Sequence, residues 1–174
     1  MGRTIVLIGF MGSGKSTLGR RLAHRMNRSF VDLDQYVESK HQLSVSGIFE
    51  QFGENQFRLW EREALLEVLQ QENAILAAGG GTPCFFDNME QMNQHGLTVY
   101  LYLEPAVLLH RLVHTPNIRP AVKGMNREEL ASFVNQKLEE RSPFYEQANL
   151  QIDALNLNFD RVLEMIAWSM RTSR

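Results

Sequence analysis

Two kinds of hydrophobic pattern alternate along the chain. Short runs rich in apolar and β-branched residues occupy residues 4–8, 29–33, 74–78, 97–103 and 150–153. Between them lie longer segments in which apolar residues recur every three or four positions, the spacing of a helix with one buried face. Because strands that alternate with helices build parallel sheets covered on both faces, the pattern predicts one α/β domain over residues 1–174.

The helical segments carry start and stop signals. Ser44 and Asn126 stand where N-caps are expected, and Glu129 completes a capping-box pattern after Asn126. Pro105 suits the first turn of a helix, whereas Gly53 interrupts a helical pattern. The main helices are predicted at about residues 14–27, 34–41, 55–72, 86–95, 105–114, 126–141 and 159–170. Residues 115–124 contain prolines and glycine without an apolar period, and we expect a loop there.

The first strand leads into the segment GFMGSGKST, which begins at Gly9 and fits the phosphate-binding template G-x-x-x-x-G-K-[ST] at every fixed position. Glycines let backbone amides approach phosphate oxygens closely, and the following helix directs its free amides at the same anion. Lys15 adds a positive charge for the β- and γ-phosphates, and the Ser16 hydroxyl can bind Mg²⁺. The alternative is a plain glycine turn with a solvated lysine. The order of strand, loop and helix favours the phosphate site.

Two aspartates follow the second predicted strand. Asp32 and Asp34 would lie at the carboxyl end of the sheet, where folds of this class bind ligands. Near a nucleotide, one carboxylate can hold a Mg²⁺-bound water and the other can accept the proton of a substrate hydroxyl. Asp34 could instead serve as the N-cap of the next helix.

The third strand ends in three glycines at residues 79–81, which either form a mobile turn or let the backbone approach a ligand. Arg58, Arg119 and Arg141 fall in or near segments expected to border the same cleft, although the surface is the default place for an arginine. Arg119 lies on the predicted loop and could stabilise transferred charge if that loop closes over ATP. Arg58 and Arg141 would suit an acceptor with a carboxylate, which guanidinium groups bind at two points.

Composition and charge narrow the possible partners. Of the 174 residues 44% are hydrophobic and 22% are charged, and the net charge is −2 without a long basic run. We therefore expect no nucleic-acid partner, and no apolar run is long enough to suggest a membrane partner. The single Cys84 cannot form an internal disulfide, and the first strand leaves no room for a signal peptide, so we expect a cytoplasmic protein. Because no heptad pattern indicates an obligate assembly, we expect a monomer.

Taken together, these motifs resemble the shikimate kinase family, a small group within the phosphate-loop (P-loop) proteins that are similar to nucleoside monophosphate kinases. The likeness extends over nearly the whole chain, to about Asp153. It rests on an ordered set of segments, namely GFMGSGKST at 9–17, VDLDQYVE at 31–38, FRLWERE at 57–63, GGG at 79–81, IRP at 118–120 and ERSPFYEQA ending at Ala148.

The resemblance implies a three-layer α/β/α fold, a single P-loop kinase domain with a five-stranded parallel sheet in the order 2-3-1-4-5. It also implies a substrate-binding segment over about residues 34–62 and a lid over about residues 115–124. The implied reaction is transfer of the γ-phosphoryl group of ATP to the 3-hydroxyl of shikimate, with Mg²⁺ as cofactor, in the biosynthesis of aromatic amino acids.

The same resemblance implies roles for individual residues. Lys15, Asp34 and Arg119 would be catalytic, with Asp34 as the proposed general base. Glu61 would orient Arg58 from behind. The residues implied to bind ATP are Gly12, Ser13, Gly14, Lys15, Ser16, Thr17, Arg111 (at the adenine) and Arg119. Those implied to bind shikimate are Asp34, Arg58, Gly80, Gly81 and Arg141, and those implied at Mg²⁺ are Ser16 and Asp32.

The chain departs from the family pattern at two places. Ala78 stands where many members have threonine, and the lid reads RPAV from Arg119 where many members read RPLL. Two alternatives stay open on the residues alone. One is a related kinase of another small acceptor, such as gluconate or a nucleotide. The other is a catalytically silent nucleotide-binding module, against which the presence of both Asp34 and Arg119 weighs.

Overall fold

A computed structural model describes residues 3–114, 122 and 124–172 of the protein. Within these residues, five strands form one parallel sheet in the order β2-β3-β1-β4-β5. The strands are β1 (Thr4–Ile8), β2 (Ser29–Asp32), β3 (Ala74–Ala77), β4 (Gly96–Tyr102) and β5 (Leu150–Asp153). The predicted three-layer fold and its strand order are confirmed.

The helices cover both faces of the sheet. They are α1 (Lys15–Met26), α2 (Leu33–His41), α3 (Val45–Leu69), α4 (Asn88–His95), α5 (Pro105–Val113), α6 (Arg127–Tyr145) and α7 (Phe159–Thr172). A short 3₁₀ turn, Thr82–Cys84, follows the triple glycine. No helix in the described part of the chain is both long enough and apolar enough to cross a membrane.

Strand β1 is buried on both faces, because its side chains alternate between two hydrophobic clusters. Ile5 and Leu7 pack in one cluster with side chains from α1, α5, α6 and α7. Val6 and Ile8 pack in the other with side chains from α2, α3 and α4. This double burial fixes the carboxyl end of β1, and with it the phosphate-binding segment, at the centre of the molecule.

The predicted caps are confirmed. The Ser44 hydroxyl accepts a hydrogen bond from the Gly47 amide at 3.1 Å and starts α3. At the start of α6, Asn126 and Glu129 form the reciprocal bonds of a capping box. Gly53 also interrupts its helix as predicted, with φ 78° and ψ 172°.

Some predicted element ends were wrong. Strand β2 stops at Asp32 and Leu33 begins α2, so Asp34 lies within the first turn of that helix. Helix α4 starts at Asn88 and not at Phe86, because Phe86 has a φ of 53°, outside the right-handed helical region. Helix α6 runs on to Tyr145 and includes Pro143. Of the predicted loop over 115–124, residues 115–121 and 123 lie outside the described residues.

Candidate active site

The phosphate-binding segment joins β1 to α1 at the carboxyl end of the sheet. Gly14 is the N-cap of α1 and has a φ of 97°. Lys15 is only 7% exposed. Its Nζ donates to the carbonyl oxygens of Gly9 and Phe10, both at 2.8 Å. The ammonium group is thus held over the loop whose amides would surround a phosphate.

Ser16 and Asp32 meet at the edge of this loop. The Ser16 hydroxyl donates to Asp32 Oδ2 at 2.8 Å. Both residues line a cavity of about 320 Å³. We call it the phosphate cavity, and its lining residues are Gly12, Gly14, Lys15, Ser16, Thr17, Asp32, Asp34, Ala77, Ala78 and Arg111. A hydroxyl and a carboxylate next to a phosphate site are oxygen ligands of the kind that Mg²⁺ takes in kinases, so these residues fit the metal.

Arg111 reaches from α5 to the phosphate-binding segment. Its Nη1 donates to the carbonyl oxygens of Gly12 at 3.2 Å and Ser13 at 3.4 Å. Its Nη2 donates to the carbonyl oxygen of Ala154 at 3.5 Å, just beyond β5. The guanidinium therefore lies between the phosphate loop and the turn after the last strand.

A second cavity of about 380 Å³ adjoins the first. We call it the acid cavity, because Arg58 and Arg141 both line it. Its other lining residues are Met11, Asp34, Val45, Ser46, Phe49, Glu50, Phe57, Glu61, Gly79, Gly80 and Gly81. Asp34 lines both cavities. The carboxylate is therefore at the junction between the predicted phosphate site and the two arginines.

The triple glycine lets three side chains converge. A Cβ added at Gly79 would lie 2.8 Å from Thr82 Oγ1, 2.9 Å from Glu61 Oε1 and 3.1 Å from Asp34 Oδ1. At Gly81 it would lie 3.0 Å from Arg58 Nη2. Real Cβ atoms essentially never come within 3.0 Å of such an atom, and contacts of 3.0–3.4 Å are tighter than nine in ten of those observed. The glycines therefore allow these protein side chains to pack closely against the backbone, and an approach of the same backbone to a ligand stays a prediction.

Arg58 is held by carboxylates and by an aromatic ring. Its Nη1 donates to Glu61 Oε2 at 2.8 Å, and its Nη2 donates to Glu54 Oε1 at 3.0 Å. Its guanidinium carbon lies 4.1 Å from the centre of the Phe85 ring. Glu61 is 1% exposed, and this burial raises its pKa. The charge of Arg58 and a hydrogen bond from Thr82 act in the opposite direction.

Arg141 lies on the other side of the acid cavity. A Cβ added at Gly80 would be 3.3 Å from Arg141 Nη1, so the guanidinium lies against the glycine backbone. One turn further along α6, the fully buried Tyr145 donates from its hydroxyl to the carbonyl oxygen of Gly80. Burial raises the pKa of Tyr145, so this hydroxyl stays a neutral donor.

The described residues bring together most of the predicted site. The candidate phosphate and Mg²⁺ residues border one cavity, and the candidate acceptor residues border the other. Ser13 is buried in the loop itself. Arg119 lies outside the described residues. The capping alternative for Asp34 is wrong, because the N-cap position of α2 belongs to Asp32.

Sequence reasoning missed Thr82 and Tyr145, which both support the site from behind. Thr82 follows the triple glycine directly, and Tyr145 lies in the segment that ends at Ala148. Neither position carries a pattern of its own. Their contacts depend on the 3₁₀ turn and on the extension of α6, and the sequence predicted neither feature.

The chain is similar to proteins of one family. The family model for shikimate kinase matches residues 11–168. A shikimate kinase of Parabacteroides distasonis is 45% identical over 152 residues, which is 87% of this chain and 88% of that protein. The crystal structure of shikimate kinase from Bacteroides thetaiotaomicron matches with a TM-score of 0.91 and 40% identity, over 96% of this chain and 99% of that one. Shikimate kinase from Acinetobacter baumannii, solved in complex with shikimate, matches with a TM-score of 0.86 and 32% identity, over 97% of this chain and 95% of that one.

Proposed function

Because the chain belongs to the shikimate kinase family, we propose that it transfers the γ-phosphoryl group of ATP to the 3-hydroxyl of shikimate. The products are shikimate 3-phosphate and ADP, in a step of aromatic amino acid biosynthesis. The observation that carries this proposal is the acid cavity, in which two arginines and Asp34 border a space next to the phosphate loop. An anionic acceptor with a hydroxyl group fits these charges.

The acceptor is held by its carboxylate. Arg58 and Arg141 bind the carboxylate oxygens, and Gly80 and Gly81 let the guanidinium groups approach closely. With the carboxylate fixed, the acceptor ring lies in the acid cavity and presents a hydroxyl towards Asp34. Positioning of this kind supplies a large part of the catalysis, because phosphoryl transfer asks little covalent chemistry of the protein.

Asp34 aligns the acceptor hydroxyl and takes its proton late in the transfer. The hydroxyl oxygen forms a bond to the γ-phosphorus while the bond from that phosphorus to the β–γ bridging oxygen breaks. The bridging oxygen leaves with ADP. Asp34 borders both cavities, and this supports its role at the point of transfer.

The phosphate loop binds ATP through Gly12, Ser13, Gly14, Lys15, Ser16 and Thr17. Lys15 contributes its charge to the β- and γ-phosphates. Ser16 and Asp32 would hold Mg²⁺, which neutralises charge on the phosphate oxygens during transfer. We assign Arg111 to the adenine, and its hydrogen bonds to Gly12 and Ser13 support a place beside the nucleotide.

Two further segments would complete the site. We propose that residues 34–62 form the acceptor-binding segment and that residues 115–124 form a lid that excludes water. From this lid, Arg119 would reach the transferred phosphate and stabilise its charge. We also expect a cytoplasmic monomer with small molecules as its partners, and neither nucleic acid nor a membrane among them.

A coupled assay of ADP release tests the proposed function. The purified protein is given ATP and Mg²⁺ with shikimate, with gluconate, with a nucleoside monophosphate, or with no acceptor. We expect ADP release that saturates with shikimate, and ³¹P NMR should show one phosphate ester on the 3-hydroxyl. ADP release with another acceptor alone would indicate a related kinase. Retained ATP binding without ADP release would indicate a silent nucleotide-binding module.

A further inference from the structure

Thr82 lies behind the acid cavity and does not line it. Its side chain is fully buried, and its hydroxyl donates to Glu61 Oε1 at 2.6 Å. The other oxygen of the same carboxylate, Oε2, accepts the hydrogen bond from Arg58 Nη1 at 2.8 Å. Thr82 and Arg58 are thus joined through one buried carboxylate.

The position of the Thr82 hydroxyl is itself fixed. The Thr82 amide donates to the carbonyl oxygen of Gly79 at 3.2 Å. Its carbonyl oxygen accepts a hydrogen bond at 2.9 Å from the side-chain amide of Asn88, which is also fully buried. A donor held in this way can fix its acceptor, because neither partner can turn to solvent.

The surroundings of Glu61 disfavour its charge. It is 1% exposed, and Asp34 faces it across Gly79 with a second carboxylate. The Cys84 thiol and the Arg141 guanidinium border the same region, and Arg58 is the cation that contacts Glu61 directly. A buried carboxylate that loses a hydrogen-bond donor takes up a proton more readily. Protonated Glu61 would attract Arg58 less strongly, and the guanidinium could turn towards the exposed Glu54.

We propose that Thr82 is a positioning residue for the acceptor, which acts through Glu61 to keep the Arg58 guanidinium directed into the acid cavity. The hydroxyl of Thr82 never touches the acceptor. Its effect should therefore appear in acceptor binding and in the dependence of that binding on pH, and not in ATP binding. This inference rests on the proposed function, since it assumes that Arg58 binds the carboxylate of shikimate.

Thr82→Val and Thr82→Ser form the matched pair that tests the proposal. Valine keeps the shape of threonine and removes the hydroxyl, whereas serine keeps the hydroxyl and removes a methyl group. For Thr82→Val we expect KM for shikimate to rise about tenfold, as loss of a hydrogen bond to a charged group implies. KM for ATP should stay within about twofold, and Thr82→Ser should restore most of the affinity for shikimate.

The pH profile separates this role from a structural one. In Thr82→Val, the rise of KM for shikimate at acid pH should begin at a higher pH than in the parent, because Glu61 is then protonated more readily. The acid limb of kcat, which Asp34 governs as the general base, should stay in place. In a Glu61→Gln background, Thr82→Val should not change the pH dependence of KM for shikimate, because glutamine has no carboxyl proton to gain. A merely structural loss would leave this pH dependence unchanged in both backgrounds.

The outcomes distinguish this inference from the proposed function. If the parent protein releases no ADP with shikimate, the function itself is wrong. If the parent is active and Thr82→Val matches Thr82→Ser in both KM for shikimate and the pH dependence of that KM, the positioning role is wrong. Should Thr82→Val fail to fold, Thr82→Ala removes the same hydroxyl together with the methyl group. KM for shikimate and the pH dependence of that KM then decide in the same way.

Discussion

At the scale of single residues, three charged side chains border one space. Asp34, Arg58 and Arg141 come from α2, α3 and α6, and α6 lies far from the other two helices in the sequence. Their convergence requires the glycine backbone at residues 79–81, which passes among the three side chains. Asp34 differs from the two arginines because it also borders the phosphate cavity.

Asp34→Asn tests the role of the carboxylate. We expect turnover to fall roughly 10²- to 10⁴-fold, the usual contribution of a general base, while the Kd for ATP stays within about twofold. Steady-state kinetics and titration calorimetry with ATP measure the two effects. The control is Asp160→Asn, which removes an exposed carboxylate at the start of α7. Unchanged turnover in Asp34→Asn would remove Asp34 from its role.

Arg141→Ala tests the assignment of the acceptor site. Because an alanine leaves one side of the bound carboxylate without its partner, KM for shikimate should rise roughly 100-fold. KM for ATP should change little. Arg127→Ala removes an exposed arginine from the same helix and serves as the matched control. Equal losses of affinity for both ligands in Arg141→Ala would contradict the assignment.

Residues with a motif of their own could be found from the sequence. The phosphate loop fits a template at every fixed position, and the physical reason for each residue type is general. Thr82 and Tyr145 could not be found in this way. Thr82 and Tyr145 support the site through hydrogen bonds to Glu61 and to the Gly80 carbonyl, respectively. A buried hydroxyl gains such partners only when the chain has folded.

At the scale of elements, the kink in α3 divides the wall of the acid cavity. Residues before Gly53, such as Phe49, line the cavity on one side, and Phe57, Arg58 and Glu61 line it from the later half of the helix. The backbone at Gly53 lies in a region that side chains with a Cβ avoid, although open space surrounds the position. The kink is therefore a property of the glycine backbone and not of packing.

Gly53→Ala tests the source of the kink. Since no atom lies within 4 Å of the added Cβ, the variant loses stability through backbone strain and not through a clash. We expect the free energy of unfolding to fall by about 1–3 kcal/mol in chemical denaturation. Gly47→Ala, earlier in the same helix at an ordinary dihedral angle, should change it by less than about 1 kcal/mol. Similar losses in the two variants would contradict this explanation.

Helices and strands were predictable where the apolar period is clear, and their ends were less so. The kink at Gly53 and the capping box at Asn126 follow from local chemistry and were correct. Helix α6 passes Arg141 because the fully buried Tyr145 packs in the cluster on the far side of the sheet. Such tertiary packing outweighs the local signal of Pro143, which suggests an earlier end.

At the scale of the whole molecule, the carboxyl ends of three neighbouring strands carry the candidate site residues. The phosphate loop follows β1, the aspartate pair lies at the carboxyl end of β2, and the triple glycine lies just after β3. These three strands are neighbours in the order β2-β3-β1, so the loops after them are also neighbours. The sequence indicated this convergence, but the strand order came from the resemblance to the family, because hydrophobic patterns do not encode which strands pair.

Burial of Glu61 in the site should make the free energy of unfolding of the whole protein depend on pH. Burial raises the pKa of Glu61 in the folded state above its usual value of 4.5. The folded protein therefore binds this proton more tightly than the unfolded chain does, and the stabilisation is fully present below pH 4.5. It is lost as the pH rises through the folded pKa, where Glu61 becomes charged.

Glu61→Gln should remove this dependence. Relative to the variant, the free energy of unfolding of the parent should decline as the pH is raised from about 4.5 to 8, as linkage requires. Urea denaturation at a series of pH values measures the difference. If the free energy of unfolding varies with pH in the same way in the two proteins, the pKa of Glu61 is not raised in the folded state. The same variant should bind shikimate more weakly, because Arg58 loses its charged partner.

The central claim is that two guanidinium groups hold the carboxylate of the acceptor while its hydroxyl faces Asp34. The most direct test compares kcat/KM for shikimate and for its methyl ester, which has the same hydroxyl groups without the charge. We expect kcat/KM for the ester to be lower by roughly 100-fold, and the difference to be smaller in Arg141→Ala. If the ester is phosphorylated as efficiently as the acid, the two arginines do not hold the acceptor by its carboxylate.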